Sequence, residues 1–305
     1  MKFEVNILGC GAATPTLKRN PTAQLVNLHD KFFLVDCGEG TQVAMRKNKL
    51  KFQKINHIFI SHLHGDHYLG LVGLISSMHL LGRNRKLTIY GPPGIREIVE
   101  VNLKLSQTVL NFECEIIELD LKEKTFLFDD KSLEVFAFPL KHRITCNGFL
   151  FREKKRKPKI DKKTIADFDL SVKEIVALKN GQDVQREDST WLKFEELTNP
   201  APEPRGYGYC SDTKYWERVV DFISECNLLY HESTFLDDKK DRAKETFHST
   251  ARQAGKIAQS AKVKQLILGH FSSRYRQLDG FLEEAKEEFE NVILASDGLT
   301  VTVPQ

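Results

Sequence analysis

A dense group of side chains able to bind metal ions follows a short apolar run in the N-terminal half of this 305-residue chain. Residues 58–68 read IFISHLHGDHY and contain His62, His64, Asp66 and His67. The apolar residues predict a buried strand, and Gly65 predicts a turn after it. Catalytic and binding side chains of α/β proteins concentrate at such strand ends. We therefore expect a metal site here.

The spacing within this group predicts two metal ions. In an extended segment His62 and His64 point the same way, so both imidazoles can meet one ion. Asp66 and His67 lie past the turn at Gly65 and can face a second ion. The pattern favours a two-metal hydrolytic site. The alternative is a polar surface loop, which would not explain metal ligands placed directly after a buried strand.

Further candidate ligands follow other predicted strands. His142, Asp212 and His270 each come directly after an apolar or aromatic run. Asp212 also follows a tight turn, where a carboxylate can bridge two ions. Asp36 ends a strand and either binds metal or orients a ligand. The strand ends together supply five histidines and two aspartates, which is the number that two zinc ions require.

The elements that position these residues alternate between strands and helices, which is typical of an α/β layered fold. Residues 69–81 and 95–109 have helical apolar spacing, and residues 25–28 and 31–35 predict a hairpin. We expect one domain over residues 1–305. Residues 152–204 are charged and interrupted by Asn-Gly and by prolines, so we interpret them as an inserted arm and not as a second core.

Composition narrows the class of protein. Hydrophobic residues make up 41% of the chain, an ordinary value for a soluble globular protein. The N-terminal residues do not resemble a signal peptide, and no apolar run approaches the ~20 residues that span a bilayer. We expect a cytoplasmic protein with no membrane partner. The six cysteines form no CxxC pair, so buried thiols are expected in place of disulfides or a zinc knuckle.

The charge is distributed unevenly. The chain has a net charge of +3, yet residues 152–163 contain eight basic and two acidic residues. That segment carries +6 and the remainder −3. A concentrated basic segment on a mildly acidic body predicts contact with a polyanion in one place. The alternative is a solvated lysine-rich hairpin without a partner.

The sequence HLHGDH resembles the HxHxDH signature of the metallo-β-lactamase superfamily. That resemblance implies a four-layer αββα sandwich with two zinc ions at one edge. Beyond it, the chain resembles the ribonuclease Z family nearly from end to end, through LGCGAATP, LVDCGEGTQ, the His142-Arg143 pair, and SDT, HEST, HST and GHFSSRY at residues 211–213, 231–234, 248–250 and 269–275.

The resemblance implies roles for individual residues. It assigns one zinc ion to His62, His64 and His142 and the other to Asp66, His67 and His270, with Asp212 between them. Mn²⁺ is expected to substitute for zinc. Asp36 matches a family aspartate that orients a ligand. For catalysis we expect Asp66 to accept the proton of the attacking water, and His248, paired with Glu232, to protonate the leaving group.

The family also implies a substrate and an assembly. The expected activity is zinc-dependent endonucleolytic removal of the 3′ trailer from precursor tRNA, which leaves a 3′-hydroxyl on the tRNA and a 5′-phosphate on the trailer. A homodimer is expected. The candidate RNA-binding residues are Lys18, Arg19, Asn20, Lys154, Lys155, Arg156, Lys157 and Arg274.

The sequence departs from the family pattern at three places. The PxKxRN loop is PTLKRN here, so its lysine is shifted by one position. SDT stands where GDT is usual, and the arm lacks the family's glycine-proline pair. Two other functions remain as alternatives: hydrolysis of a small phosphodiester or arylsulfate, which gives no reason for a basic arm, and a non-catalytic RNA-binding scaffold, which gives no reason for a full ligand set.

Overall fold

The computed structural model describes residues 2–224 and 226–305. The strands are β1 (Phe3–Gly9), β2 (Gly11–Ala12), β3 (Ala23–Leu28), β4 (Lys31–Val35), β5 (Ile55–Phe59), β6 (Leu87–Gly91), β7 (Cys114–Glu118), β8 (Thr125–Asp129), β9 (Leu133–Pro139), β10 (Asn147–Glu153), β11 (Val184–Gln185), β12 (Trp191–Leu192), β13 (Gly206–Cys210), β14 (Leu228–Glu232), β15 (Gln265–Gly269), β16 (Phe271–Ser272), β17 (Val292–Leu294) and β18 (Thr300–Thr302). The helices are α1 (Thr41–Lys47), α2 (Gly65–Tyr68), α3 (Leu71–Leu80), α4 (Ile95–Leu105), α5 (Lys162–Asp167), α6 (Val172–Lys179), α7 (Phe194–Leu197), α8 (Val219–Ile223), α9 (Lys240–Thr246), α10 (Ala251–Ala261) and α11 (Asp279–Lys286), with short 3₁₀ turns at Phe52–Lys54 and Asp237–Lys239.

Two seven-stranded mixed sheets organise the chain. The first has the order β18-β1-β3-β4-β5-β6-β7 and the second β17-β15-β14-β13-β10-β9-β8. In the first sheet β4 to β7 are parallel, and in the second β13, β14, β15 and β17 are parallel. The remaining pairings within these two sheets are antiparallel. The parallel half of each sheet therefore directs several strand ends toward one edge.

Aromatic side chains fill the space between the two sheets. Phe59 of the first sheet packs against Phe149 and Phe151 of the second, with ring centroids 5.2 and 5.3 Å apart. Tyr207 and Tyr209 are fully buried in the same cluster. Aromatic residues bury large apolar areas and prefer such tilted contacts, so this layer contributes much of the folding free energy.

Helices cover the outer face of each sheet. On α3 the buried residues Leu71, Leu74, Ile75 and Met78 follow helical spacing and pack on the first sheet. On the second sheet α10 contacts β14 and β15, and its N-terminus has the predicted capping box of Thr250 and Gln253. The predicted four-layer αββα sandwich is confirmed. The predicted hairpin is also present as β3 and β4.

The inserted arm differs from its prediction in two respects. Arg152 and Glu153 pair with β9 within the second sheet, so the arm leaves the sheet after Glu153. The arm also has a small hydrophobic cluster of its own, which the sequence analysis did not predict. Its buried members are Leu170, Leu178, Leu192 and Leu197. The arm is therefore a small packed unit, closed at its base by the antiparallel pairing of Lys159 with Asn199.

The cysteines and the helices agree with the sequence-based expectations where they can be compared. All six cysteines are free thiols, and five of them are buried. Over residues 2–224 and 226–305, the structure contains no helix whose length and hydrophobicity would let it cross a membrane.

Candidate active site

Four strand ends meet at one edge of the sandwich and carry the candidate ligands. His62 and His64 follow β5, and the short helix α2 carries Asp66 and His67. The loops after β9, β13 and β15 supply His142, Asp212 and His270. All seven side chains predicted as ligands lie in two adjoining groups, in which the ligand atoms are within 4.8 Å of one another.

The first group contains three histidines. Nδ1 of His64 lies 3.1 Å from Nε2 of His62 and 3.2 Å from Nε2 of His142. Burial lowers the pKa of His62 to about 4 and also lowers the pKa values of His64 and His142. At neutral pH these imidazoles are therefore uncharged, which is the form that binds a metal ion.

The second group contains Asp66, His67 and His270. The Nε2 atoms of the two histidines are 3.2 Å apart. Oδ2 of Asp66 lies 3.5 Å from Nε2 of His67 and 3.4 Å from Nε2 of His270. His270 has a φ of 58°, in the left-handed region, where a non-glycine residue is strained by about 1–3 kcal/mol. The fold therefore holds this imidazole in place at a cost in stability.

Asp212 lies between the two groups and directs one oxygen toward each. Oδ2 is 3.4 Å from Nε2 of His62, whereas Oδ1 is 3.1 Å from Nε2 of His270 and 3.5 Å from Nε2 of His67. Oδ1 is buried and accepts no hydrogen bond from any described residue. A buried carboxylate oxygen without a donor is costly unless a cation completes it.

This donor set fits two zinc ions. In the first group the ring nitrogens of uncharged imidazoles face one another, and imidazoles that each offer a lone pair need a shared cation between them. Three neutral or anionic ligands on each side, with one bridging carboxylate, match the N/O ligands that zinc accepts. His62, His64 and His142 would hold one ion, Asp66, His67 and His270 the other, and Asp212 both.

A buried network orients the ligands. Oδ2 of Asp36 lies 2.8 Å from Nδ1 of His67, so the nitrogen opposite the metal group is held by a carboxylate. Ser61 donates its backbone N–H to Oδ1 of Asp36 at 2.7 Å, and its Oγ lies 3.0 Å from Nδ1 of His62. Tyr209 donates its hydroxyl to Asp36 at 2.6 Å. Of the two roles that the sequence left open for Asp36, the geometry supports orienting.

The sequence analysis missed Ser61 and Tyr209. Ser61 directly precedes the histidine cluster, which was a local signal. Tyr209 lies on β13 and gave no signal, because only the stacking of the two sheets brings it to Asp36.

A second network surrounds Glu232 at the end of β14. Its carboxylate is fully buried and accepts from the backbone N–H of Thr213, Thr234 and Ser249 and from the hydroxyl of Thr234. Nδ1 of His248 lies 3.0 Å from Oε1 of Glu232. The structure thus brings together the two residues expected to act as an acid pair.

Thr234 was missed as a site residue, although it lies in the HEST motif. Its Oγ1 is 2.9 Å from Nδ1 of His270 and 3.2 Å from Nδ1 of His248. One hydroxyl therefore connects a metal ligand with the candidate acid. Similarly, the carbonyl of Phe247 lies 3.0 Å from Nδ1 of His142, a backbone contact that no sequence pattern indicates.

An open cavity of about 530 Å³ gives access to the two groups. Its wall includes Asp66, Asp212 and His248, and the basic residues Arg143, Arg242 and Arg274. The backbone N–H of Ala13, which also lines the cavity, donates to Oδ2 of Asp66 at 2.6 Å. Cationic residues around a carboxylate-rich centre suit an anionic substrate.

Two residues of the predicted RNA-binding loop, residues 15–20, fasten the loop to the rest of the fold. Arg19 donates through Nη2 to the carbonyl of Tyr275 at 2.7 Å, and Asn20 donates through Nδ2 to the carbonyl of Leu8 at 3.1 Å. Lys18 is exposed beside them. The guanidinium of Arg274 lies 5.5 Å from the ring centroid of Phe235. RNA contact by these residues stays a prediction.

The basic run of the arm is partly neutralised within the protein. Lys154 forms an ion pair with Asp129, and Arg156 pairs with Glu153 at 2.6 Å. Lys155 and Lys157 are exposed, and neither has a carboxylate partner in the part of the chain that the structure describes. RNA binding by these four residues also stays a prediction.

Comparisons with known proteins identify the family. Ribonuclease Z of Bacteroides fragilis strain YCH46 is 44% identical over 302 residues and covers 99% of both chains. Ribonuclease Z of Cytophaga hutchinsonii is 46% identical over 299 residues, covering 98% of this chain and 95% of the relative. This chain belongs to the ribonuclease Z family. The resemblance to ribonuclease Z that the sequence showed is therefore confirmed.

Solved structures agree with that family. The crystal structure of human tRNase Z, short form, superposes with a TM-score of 0.71 at 29% identity, covering 99% of this chain and all of the human chain. A long form RNase Z from yeast has a TM-score of 0.67 at 17% identity and shares the fold over 99% of this chain and 42% of its own. A sequence model described as anti-Pycsar protein Apyc1 matches residues 3–142, less than half of the chain.

Proposed function

We propose that the chain removes the 3′ trailer from precursor tRNA with two zinc ions, leaving a 3′-hydroxyl on the tRNA and a 5′-phosphate on the trailer. The class of activity follows from the family: the chain is a tRNA 3′-processing endoribonuclease, as its sequence predicted. The observation that carries the metal-dependent mechanism is the position of Asp212, whose two oxygens face two separate groups of histidines.

The metal ions contribute in a defined way. When bound, zinc ions lower the pKa of water, which supplies a hydroxide at neutral pH, and stabilise the negative charge that develops on the phosphodiester. His62, His64 and His142 would hold one ion, and Asp66, His67 and His270 the other, with Asp212 shared. Mn²⁺ is proposed as a substitute, since imidazole and carboxylate ligands also accept it.

Asp66 is proposed to accept the proton of the attacking water. Burial alone would favour its neutral form, but the adjacent His67 and His270 hold the pKa of this carboxyl well below its usual range. The N–H of Ala13 bonds Oδ2 and holds the side chain toward the cavity. The carboxylate is therefore ionised at neutral pH, as a proton acceptor must be, and the proposed role rests on its position next to the metal groups.

His248 is proposed to protonate the departing 3′-oxygen. Burial lowers the pKa of His248, but Glu232 and Asp212 outweigh this effect and raise it to about 9. His248 is therefore protonated at neutral pH, as a proton donor must be. Glu232 holds Nδ1, which leaves Nε2 as the nitrogen that can reach the substrate.

The arm and the loop at residues 15–20 are proposed to bind the tRNA. Lys155 and Lys157 are exposed for phosphate contact, and Lys18 and Arg274 lie near the cavity, with Arg19 and Asn20 supporting that loop. Phosphate contacts of this kind supply affinity without reading sequence.

The proposal includes a homodimer in the cytoplasm. Leu69, Leu80 and Leu81 lie at the two ends of α3 and are all exposed, Leu80 by 80%. Exposed leucines of this kind favour burial against another protein surface, and a second copy of the chain is the proposed partner.

Product mapping tests the proposal. The protein is incubated with a precursor tRNA labelled at either end, with Zn²⁺ or Mn²⁺, and both product ends are identified. Metal analysis of protein purified without chelator is expected to find two ions per chain. The matched control is His79→Ala, since this histidine lies on α3 outside both ligand groups. If the protein cleaves precursor tRNA neither with Zn²⁺ nor with Mn²⁺, the proposal is contradicted.

Replacement of the arm separates this function from hydrolysis of a small diester. Because the backbone N–H of Glu153 donates to the carbonyl of Arg205 at 2.8 Å, a short glycine-containing turn can replace residues 154–204, which include the four basic residues proposed to bind tRNA. The expected result is loss of tRNA cleavage with unchanged turnover of a nitrophenyl diester. If neither activity changes, the small-diester alternative is favoured.

A further inference from the structure

A second cavity adjoins the active-site cavity and shares one wall with it. Its volume is about 350 Å³, and His248 lines both cavities. The other residues lining it are Lys214, Tyr215, Lys240, Asp241, Lys244 and Gln253. Three lysines therefore surround a space that is separated from the metal groups by the candidate acid.

These lysines are available for a ligand. Lys240 and Lys244 are exposed and one helical turn apart on α9, so they project from the same face. Lys214 extends over the ring of Phe247, with its Nζ 5.2 Å from the centroid. Within the described part of the chain none of the three forms an ion pair, in contrast to Lys154 and Arg156 at the base of the arm.

We propose that this lysine cavity, formed by Lys214, Lys240 and Lys244 beside His248, binds the phosphate backbone of the tRNA strand immediately 5′ of the cleaved bond. The inference rests on the proposed function, in which His248 protonates the departing 3′-oxygen. That oxygen belongs to the last nucleotide of the tRNA, so this nucleotide must lie against His248. The strand leading to it then continues into the cavity on the same side, and the lysines meet its phosphates.

The same geometry gives the cleavage reaction a direction. With the tRNA side of the substrate at the lysine cavity, the trailer leaves across the active-site cavity, whose lining includes Ala13, Thr14 and Arg274. Flexible lysines suit this task, because they contact phosphates of any sequence without fixed geometry. The lysine cavity thus determines which strand end is presented to the acid.

The first test replaces the two helix lysines together. Lys240→Ala/Lys244→Ala is expected to raise KM for precursor tRNA roughly tenfold and to reduce the salt dependence of binding by about 1.5 units of slope, with kcat changed less than KM. Lys240→Arg/Lys244→Arg keeps the charge and is expected to retain KM. The control Lys104→Ala/Lys122→Ala removes two exposed lysines that line neither cavity and is expected to leave KM unchanged.

The second test locates the contact on the substrate. Neutral methylphosphonate linkages are introduced just 5′ or just 3′ of the cleaved bond. The 5′ substitution is expected to weaken binding to the unaltered protein but to cost the Lys240→Ala/Lys244→Ala variant little more, whereas the 3′ substitution affects both proteins equally. The inference is overturned if the 5′ methylphosphonates weaken binding by the same factor in both proteins. It is also overturned if only the effect of the 3′ methylphosphonates depends on Lys240 and Lys244. A wild-type protein that cuts no precursor tRNA contradicts the proposed function instead.

Discussion

The metal-ligand groups and the basic arm are two charged regions built on opposite principles. At the ligand groups the side chains are largely buried, and within each group the ligand atoms lie within 4.8 Å of one another. In the arm, Lys155 and Lys157 are exposed on flexible side chains. Function at the first region depends on geometry, because low dielectric and fixed positions make each contact strong. Function at the second depends on charge, which water and salt weaken.

The supporting contacts differ in the same way. His67 is held by Asp36, His142 by the carbonyl of Phe247 and His270 by Thr234. In the arm, by contrast, the hydrogen bond of Lys157 to Asn180 is a single exposed contact. A change at the metal groups should therefore cost orders of magnitude in turnover, and a change in the arm should cost only a few-fold in affinity.

The largest effect is expected at Asp66. Asp66→Ala removes both a metal ligand and the proposed base, so turnover of precursor tRNA should fall by about 10³-fold or more while tRNA affinity survives. Single-turnover kinetics and a binding isotherm on the same RNA measure the two quantities. The control is Glu97→Ala, which removes an exposed carboxylate from α4, outside the ligand groups and the arm. An equal loss of turnover and affinity would count against a chemical role for Asp66.

The next effect is expected at His248, at the rim of the metal groups. His248→Ala should reduce cleavage of precursor tRNA by about 10²–10³-fold, since general acid catalysis contributes that much. Two bound ions and the tRNA affinity should remain. Turnover of a nitrophenyl diester should largely persist, because this leaving group needs no proton.

The choice of substrate makes that experiment decisive. His248 lies near His142 and His270, with ring centroids 5.4 and 5.5 Å away, so its loss could also disturb the ligands. Equal damage to both substrates, or fewer than two ions per chain, would refute the role as an acid. His79→Ala serves again as the histidine control.

Much of the geometry of the candidate metal site was accessible from the sequence, because candidate ligands at strand ends are recognisable by residue type and by spacing. Every predicted ligand lies in one of the two groups. Ser61 and Thr234 lie in or beside the motifs, but the sequence analysis gave them no role in the site. Tyr209 could not be given one, because its contact with Asp36 depends on how the two sheets stack. The strand β8 was also missed.

The arm was less accessible, for a physical reason. Its charges were visible in the sequence, but the pairing of Lys154 with Asp129 and of Arg156 with Glu153 depends on tertiary structure. Its four buried leucines are dispersed among charged residues and so gave no helical or strand period. Charge composition predicts a polyanion partner but does not say which cations remain free.

A third effect is expected at the base of the arm. A cluster of charged side chains is buried there, as at the metal-ligand groups and unlike the exposed cations of the arm. Glu153 is 2% exposed and accepts from Nη2 of Arg205 at 2.9 Å and from Arg156, with Nε2 of His29 2.7 Å away. Glu153→Gln removes the buried negative charge that the guanidinium groups of Arg205 and Arg156 both contact. We expect the free energy of unfolding to fall by about 2–4 kcal/mol, measured by urea denaturation.

The pH dependence sharpens this prediction. Burial favours the neutral form of Glu153, but hydrogen bonds from Arg205 outweigh it and lower its pKa from 4.5 to about 2. Because the pKa is lower in the folded state, the stabilisation is complete above pH 4.5 and is lost as the pH falls toward 2. The difference between wild type and Glu153→Gln should therefore shrink over that range. Glu134→Gln, which breaks the more exposed pair with Arg152, is the control and should cost under about 1 kcal/mol.

The smallest effect is expected among the cations of the arm, and it separates charge from pairing. Lys155→Ala/Lys157→Ala removes two exposed cations that no carboxylate neutralises, so tRNA binding should weaken several-fold and its salt dependence should fall by about 1.8 units of slope.

Lys154→Ala/Arg156→Ala removes the same formal charge, but these cations are already paired with Asp129 and Glu153. This second variant should change the slope much less and should lower the melting temperature instead, because it leaves a buried carboxylate with fewer partners. Affinity measured against salt concentration, together with thermal unfolding, gives both quantities. Equal slopes for the two variants would show that the number of cations alone, and not their pairing, determines how the arm binds RNA.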